Sequence, residues 1–530
     1  MKCVLAGMVF CGVVFYGASA CAQNEVETFK ALLKKYEASI IPLSTAANIA
    51  DYDAAVSGKD EDYTRVKELR IQIARIHADK DTFNTLKKLQ ESGAIADPVL
   101  KRELDLMVNA FWDNQVDPAK LEAEIALQTG IEQKFATYRA LIDGKPCTDN
   151  ALEETLRTST DSAVLRHTWE ASKQVGKYVR DDLLRLIALR NDMAREVGFK
   201  NYHDMKLRLA EQDPDEIEAL FDQLDAMTRD RFKQIKETEI DPFLAARLKI
   251  APEDLMPWDY QNRFFQDAPA IYAIDLDQYY KGKDIAAIGA RFNAGIGIDV
   301  SDVLARSDLY EKVGKQQHAF STNIDRSGDV RIFMNVQDNA AWMETTLHEL
   351  GHAGYEKFCS KADLPWLLRD EAHTFVTEAV AILFGGYSCN PHFLQSLLGL
   401  PEEEAAGIAK DASKMNILGT LVFSRWSQVM YRFEKALYDD PHQDINALWW
   451  DLVEKYQLVK KPPNRDEPDW AAKIHIATYP CYYHNYLLGH LLAAQLNAYI
   501  VRNVLHGTDF QTPDYVQKPE IGKYLVGHLY

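Results

Sequence analysis

Cysteine is scarce in this sequence: seven occur among 530 residues, and three of these lie within the first 21. The remaining four are too few and too scattered for a disulfide framework, and buried free thiols explain them as well as pairing does. Positively charged residues are also few: the chain has 60 Lys and Arg but 79 Asp and Glu, which gives a net charge of -19. This deficit excludes a general affinity for nucleic acid or anionic lipid. After the first two dozen residues, no apolar run is long enough to span a bilayer.

The rest of the composition is typical of a large soluble enzyme or binding protein. Hydrophobic residues make up 47% of the chain and charged residues 26%, which excludes a disordered, a collagen-like and a polytopic membrane protein. At about 150 residues per domain the length would hold three or four domains, although single catalytic folds also reach this size.

The N-terminus has the pattern of an export signal. Met1 and Lys2 precede an uncharged apolar run over residues 3–16, and small residues follow as far as residue 23. This order is typical of a secretory signal peptide with a small-x-small cleavage site. Cys21 could instead be the lipidated first residue of a lipoprotein. We predict a signal peptide over residues 1–22 and an exported mature chain, either free in the periplasm or anchored to the membrane through Cys21.

Helical patterning dominates the mature chain. Residues 25–248 interleave charged residues with Leu, Ile, Ala and Met and contain few Pro or Gly, which predicts α-helix. Residues 319–324 and 330–336 flank a polar turn that contains Gly, and this pattern predicts a β-hairpin. From Trp342 onward the helical pattern resumes. We therefore predict a mostly α single domain over residues 23–530, with a helical lobe over 23–250 and a second lobe over 251–530.

One short motif carries the chemistry. His348, Glu349 and His352 form an H-E-x-x-H sequence on a predicted helix. Histidines four apart lie on one helix face, so both imidazoles can reach one Zn²⁺ while the glutamate is offset toward a water molecule. A chain of this composition would contain such a pattern by chance only about 0.06 times. The motif therefore predicts a metal site.

A catalytic zinc site usually has a third protein ligand. Downstream of the motif the candidates are Asp370, Glu371, His373 and Glu378. Glu378 opens a strongly apolar helical run, where a carboxylate needs a partner such as a metal ion. Glu371 and His373 are equally well explained as solvated residues at a helix end.

Several further motifs lie in a fixed order around the metal motif. They are His318-Ala319, the DLPWLLR block at 363–369, Trp449-Trp450, Lys455-Tyr456-Gln457, Pro462-Pro463 and Ala472-Lys473-Ile474-His475. Over about residues 254–490, their order and spacing resemble the angiotensin-converting-enzyme-like zinc dipeptidyl carboxypeptidases. The resemblance implies a gluzincin-type fold in which two helical lobes flank a deep cleft, with a small β-hairpin beside the zinc helix.

The resemblance also implies a role for each matching residue. Zn²⁺ would be held by His348, His352 and Glu378, and Glu349 would act as the general base. The remaining matches are residues for oxyanion stabilisation (His475 and Tyr486), for binding the C-terminal carboxylate of the substrate (Lys473 and Tyr483), and for contact with the substrate backbone (His318 and Ala319).

The register of the two tyrosines has an alternative. The family places them seven and ten residues after its catalytic histidine, which here gives Tyr482 and Asn485. One inserted residue gives Tyr483 and Tyr486 and preserves the spacing of three, so we prefer that register.

Four positions depart from the family pattern. Two arginines that bind chloride in the family are replaced by Asn485 and Val453, which argues against chloride as an activator. A carboxylate that orients a metal-bound histidine is replaced by Ile382, and the glutamine expected near Trp258 is one position out at Gln261.

The expected function is release of C-terminal dipeptides from oligopeptides by an exported, monomeric zinc peptidase. Two alternatives use the same fold: a zinc oligoendopeptidase or a simple carboxypeptidase. A third is a catalytically inactive peptide-binding lipoprotein. Neither nucleic acid nor a membrane span is expected.

Overall fold

A computed structural model describes the backbone of residues 7–272 and 274–530, and the side chains of these residues from residue 23 onward. The predicted signal peptide and its Cys21 thus fall on residues whose side chains lie outside this part. Among the described residues, no helix has the length and apolarity needed to cross a membrane. The predicted division into lobes at residue 250 stays a prediction.

The fold is mostly α, as predicted. The helices of the first part are α1 (Gly7–Ser57), α2 (Asp60–His77), α3 (Lys80–Ser92), α4 (Pro98–Trp112), α5 (Pro118–Thr137), α6 (Asp149–Thr158), α7 (Ser162–Glu196), α8 (Tyr202–Leu209), α9 (Pro214–Ile235), α10 (Asp241–Leu248), α11 (Asp277–Tyr280), α12 (Ile285–Gly295) and α13 (Ser301–Arg306). Those that follow are α14 (Ala340–Cys359), α15 (Thr374–Gly385), α16 (Pro391–Leu398), α17 (Glu402–Asp439), α18 (Ile445–Gln457), α19 (Ile474–Thr478), α20 (His484–Tyr499) and α21 (Pro519–His528).

Asp-Pro pairs begin three of these helices. The side chains of Asp97, Asp117 and Asp213 accept hydrogen bonds from backbone N–H groups in the first turns of α4, α5 and α9. In each case proline follows as the first helical residue, where its missing N–H costs nothing. The sequence therefore fixes where these helices begin.

Two antiparallel strand pairs interrupt the helices in the described part of the chain. Strands β3 (Phe320–Asn323) and β4 (Val330–Phe333) pair with Phe320 opposite Phe333, which confirms the predicted hairpin. Strands β1 (Ala140–Ile142) and β2 (Lys145–Cys147) were not predicted. Their turn is Asp143-Gly144 with positive φ at both residues, and Asp-Gly favours such a turn, so a local signal was present.

Two large apolar clusters build most of the core. One contains Trp169 of α7 together with Trp426 of α17 and Trp470, so it joins residues from both predicted lobes. The other surrounds α12, α14 and α15 and includes Phe292, Leu350 and Phe384. The zinc-motif helix α14 therefore has a fully apolar support on one side.

Close helix contacts set the position of the metal motif. A Cβ on Gly351 of α14 would lie only 2.7 Å from Ala381 Cα of α15. A Cβ on Gly489 of α20 would lie 2.9 Å from the Cβ of Glu378. Only glycine permits these approaches. They bring α14 and α20 into close contact with α15, the helix that carries Glu378.

Candidate active site

Three side chains from two helices converge at the predicted metal site. His348 and His352 lie one turn apart on α14, and Glu378 lies on α15. Their possible ligand atoms all lie within 4.8 Å of one another. The Nε2 atoms of His348 and His352 are 3.2 Å apart. Glu378 Oε2 lies 3.6 Å from His348 Nε2 and 3.7 Å from His352 Nε2.

These separations fit a zinc ion. Ligands about 2.0–2.1 Å from a tetrahedral ion are about 3.3–3.4 Å apart, close to the distances found here. The Oε2 atom of Glu378 is buried and has no hydrogen-bond partner, a costly arrangement unless a cation binds it. Burial also lowers the pKa of His348 well below its usual value and that of His352 to about 4. Both imidazoles are therefore neutral, the form that binds metal.

Two hydroxyl groups support these ligands. Thr377 Oγ1 lies 2.8 Å from His352 Nδ1. If His352 binds metal through Nε2, then its Nδ1 carries the proton and donates it to Thr377. Tyr482 donates a hydrogen bond to Glu378 Oε1. Sequence reasoning missed Thr377, although its place directly before Glu378 on α15 was a usable signal. Thr377 thus gives His352 a polar partner although Ile382 cannot.

Glu349 is buried beside this centre. Burial raises its pKa well above the usual value, and the charge of Glu378 raises it further. Its Oε2 atom is buried and has no hydrogen-bond partner. Glu349 is thus free to exchange a proton with a bound water or substrate. A cation at the neighbouring ligands would lower the pKa again, because it favours the carboxylate form.

The predicted oxyanion donors form a pair. His475 Nε2 lies 3.1 Å from the Tyr486 hydroxyl oxygen. Tyr486 also lies close enough to Glu378 and Glu349 for their charges to add to the effect of burial, which raises its pKa well above the usual value. Tyr486 therefore keeps its proton and can donate it in a hydrogen bond.

Lys473 and Tyr483 form a second polar group in the same region. Lys473 Nζ donates to Gln266 Oε1 at 2.6 Å and lies 5.4 Å from the centre of the Tyr483 ring. The Tyr483 hydroxyl accepts a hydrogen bond of 2.6 Å from Trp426 Nε1. Sequence reasoning missed Gln266, and no local pattern distinguishes it.

The tyrosine register can be compared with this geometry. Tyr483 and Tyr486 lie beside Lys473 and His475, as the preferred register expects. Asn485 instead accepts a hydrogen bond of 2.8 Å from Gln212. Tyr482 contacts Glu378, a role that neither register included.

Two of the other candidates for the third ligand, Asp370 and His373, are engaged elsewhere. Asp370 forms an ion pair with Arg326 at 2.5 Å, and His373 Nε2 lies 2.7 Å from the carbonyl oxygen of Ala210.

Gln261, the glutamine near Trp258 that departs from the family pattern, donates to the backbone carbonyl of Arg157 at 2.7 Å and does not contact Lys473.

The predicted substrate-backbone contacts lie beside the His475 pair. The ring of His318 is 5.3 Å from that of His475, centre to centre. Burial lowers the pKa of His318 to about 4, so its imidazole is neutral. Ala319 directly precedes strand β3. The structure thus brings every predicted site residue into one region.

Comparison with known proteins identifies the family. A family model described as angiotensin-converting enzyme matches residues 23–236 and 276–529, most of the chain. The chain belongs to the angiotensin-converting enzyme family. Members of this family are zinc-dependent metallopeptidases, which makes the chain a peptide hydrolase by family.

The individual relatives are distant. The angiotensin-converting enzyme of Theromyzon tessulatum is 23% identical over 468 residues, 81% of this chain and 74% of that protein. That of Mesocricetus auratus is 26% identical over 276 residues, 49% of this chain and 20% of that protein. That of Oryctolagus cuniculus is 27% identical over 215 residues, 39% of this chain and 16% of that protein. Such identities support membership of the family. The specific activity of this chain has to be argued from its active site.

Proposed function

We propose that this chain is an exported zinc peptidyl-dipeptidase that releases dipeptides from the free C-terminus of oligopeptides. The observation that carries the proposal is the convergence of His348, His352 and Glu378, with the buried carboxylate of Glu349 beside them. A merely structural metal site has no need of a general base next to its ligands. The names of the distant relatives support the same activity.

The metal ligands and the residues around them would each have a separate role in the reaction. Zinc held by His348, His352 and Glu378 would supply Lewis-acid chemistry. Glu349 takes the proton of the attacking water and passes it to the leaving amine. His475 and Tyr486 donate hydrogen bonds where negative charge develops on the oxygen of the scissile carbonyl, and each such donor typically contributes a few kcal/mol.

A second set of groups would determine how far from the C-terminus the peptide is cut. Lys473, Gln266 and Tyr483 would bind the terminal carboxylate, and their fixed distance from the metal ligands would select the bond that is cut. His318 and the backbone at Ala319 would hold the N-terminal part of the substrate as an extended strand beside β3. Oligopeptides are therefore the proposed substrates.

Export is the remaining part of the proposal. It rests on the sequence pattern of residues 1–22, with the periplasm or a lipid-anchored position as the two destinations. Mass measurement of the mature N-terminus would distinguish a cleaved soluble form from one that begins with a lipidated Cys21.

The activity is tested with N-blocked tripeptides before and after metal removal. A peptidyl-dipeptidase releases the C-terminal dipeptide, whereas a simple carboxypeptidase releases one amino acid. We expect dipeptide release that is lost on chelation and restored by Zn²⁺. Release of single residues would support the carboxypeptidase alternative. Zinc binding without any hydrolysis would support the inactive peptide-binding alternative.

A further inference from the structure

A carboxylate without an ion-pair partner among the described residues lies one helical turn before the first metal ligand. Glu344 precedes His348 by one turn of α14, so the two side chains lie on the same helix face about 6 Å apart along the axis. Glu344 is exposed to solvent. None of the hydrogen bonds or ion pairs among the described residues involves its side chain.

The base of the Glu344 side chain nevertheless lies close to a neighbouring helix. A Cβ on Gly385 of α15 would lie 3.5 Å from Glu344 Cγ. Burial raises the pKa of Glu344 to about 7, and the charge of Asp267 raises it further. Because Glu344 lies one turn from His348 on the same helix face, it is placed beside the metal ligands.

Asp267 is a second carboxylate near Glu344, beside the proposed carboxylate-binding group. It directly follows Gln266, the partner of Lys473, and the charge of Lys473 counteracts the rise that burial causes in its pKa. Its own hydrogen bond comes from Asn262, a neutral amide, at 2.7 Å. Asp267 thus lies near enough to both Glu344 and Lys473 for their charges to interact.

The nearby cations form no ion pair with these two carboxylates. Arg263 is already paired with Glu153 at 2.5 Å and with Asp149 at 3.1 Å. Lys473 is the group that the proposed function assigns to the substrate's terminal carboxylate. Glu344 and Asp267 thus form no ion pair with a cation among the described residues, and a cation supplied by the ligand could pair with them.

We propose that Glu344, supported by Asp267, selects peptides with a lysine or arginine in the C-terminal dipeptide that is released. This inference rests on the proposed function, because the two released residues would lie between the metal ligands and Lys473. Their side chains would pass Glu344, and an ammonium or guanidinium group there would form a charge-assisted hydrogen bond.

The test compares N-acetylated hexapeptides with a free C-terminus that differ only in the released dipeptide. The pairs are Lys-Ala against norleucine-Ala and Ala-Lys against Ala-norleucine, and the readout is the ratio of kcat/KM within each pair. We expect lysine to be preferred about tenfold in at least one pair, the size of one charge-assisted hydrogen bond. Glu344→Gln should bring that ratio near one, and Glu344→Asp should leave part of it.

A matched variant controls for the loss of one negative charge. Glu91→Gln removes a charge from an exposed residue of α3 and should leave the lysine ratio as in the wild type. A wild-type ratio near one in both pairs would overturn the inference, as would a preference that survives Glu344→Gln.

Failure of the proposed function gives a different result. If none of the peptides is cleaved, the proposed function is wrong, and calorimetric binding of the free dipeptides Ala-Lys and Ala-norleucine still decides the inference. Tighter binding of Ala-Lys that Glu344→Gln abolishes would support it, and equal binding of the two would overturn it. Zinc content and circular dichroism of Glu344→Gln show whether the variant is folded.

Discussion

Replacing Lys473 by methionine should weaken the recognition of free C-termini without harming the fold. Lys473 is buried and donates to Gln266 at 2.6 Å. A charge-assisted contact between this ammonium and a substrate carboxylate contributes about 2–3 kcal/mol in such a site. The loss corresponds to about a 30- to 150-fold fall in kcat/KM. Because methionine removes a buried charge, Tm should not fall.

The pH dependence of kcat/KM provides a second test of the role of Lys473. Burial, aided by the charge of Arg263, lowers the pKa of Lys473 to about 7. Below pH 7 the free enzyme carries the ammonium that a carboxylate needs. Above it the amine is neutral, and the bound carboxylate would have to draw a proton back onto Lys473. The kcat/KM for free-acid peptides should therefore fall up to about tenfold per pH unit above 7, and Lys473→Met should remove this limb.

The assay is hydrolysis of an N-blocked tripeptide between pH 6 and 9, for the wild type, Lys473→Met and a control. Lys101→Met serves as the control because Lys101 is an exposed residue of α4. The reasoning is refuted if Lys473→Met costs less than about threefold in kcat/KM, or if the wild-type and Lys473→Met profiles have the same shape.

Three other changes test the metal centre and its support. Glu349→Gln should keep zinc, measured by atomic absorption, and lose at least about 100-fold in kcat because it removes the proposed general base. Hydrolysis at the wild-type rate would contradict this role. Thr377→Val removes the hydroxyl 2.8 Å from His352 Nδ1. The zinc affinity, measured by chelator competition, should therefore fall about 10- to 100-fold, whereas Thr377→Ser should retain the wild-type affinity. Gly351→Ala places a methyl group 2.7 Å from the backbone of Ala381 and should cost about 1–3 kcal/mol in the free energy of unfolding; an unchanged denaturation midpoint would contradict the packing described.

Local patterns predicted the parts of the site that lie on a single element. The spacing of four between His348 and His352 follows from helix geometry alone. The polar turn between two β-branched and aromatic runs predicted the hairpin of β3 and β4, which the structure confirms. Glu378 could be ranked above its neighbours because a carboxylate in an apolar helical run needs a partner.

Contacts between distant segments could not be predicted in this way. Gln266 meets Lys473 across 207 residues of sequence, and no periodicity in either segment indicates which residue of the other it will face. Tyr482 reaches Glu378 only because Gly489 lets α20 approach α15 closely. The positions of these side chains follow from packing between helices, which the pattern within one helix does not contain.

The most direct test of the central claim is mass spectrometry of the products from an N-blocked decapeptide, prepared with a free and with an amidated C-terminus and incubated with the zinc-loaded protein. The account predicts successive loss of dipeptides from the free-acid peptide and no cleavage of the amide, because the proposed role of Lys473, Gln266 and Tyr483 is to bind a terminal carboxylate. Internal cleavage of both peptides would contradict it and would make the chain a zinc oligoendopeptidase.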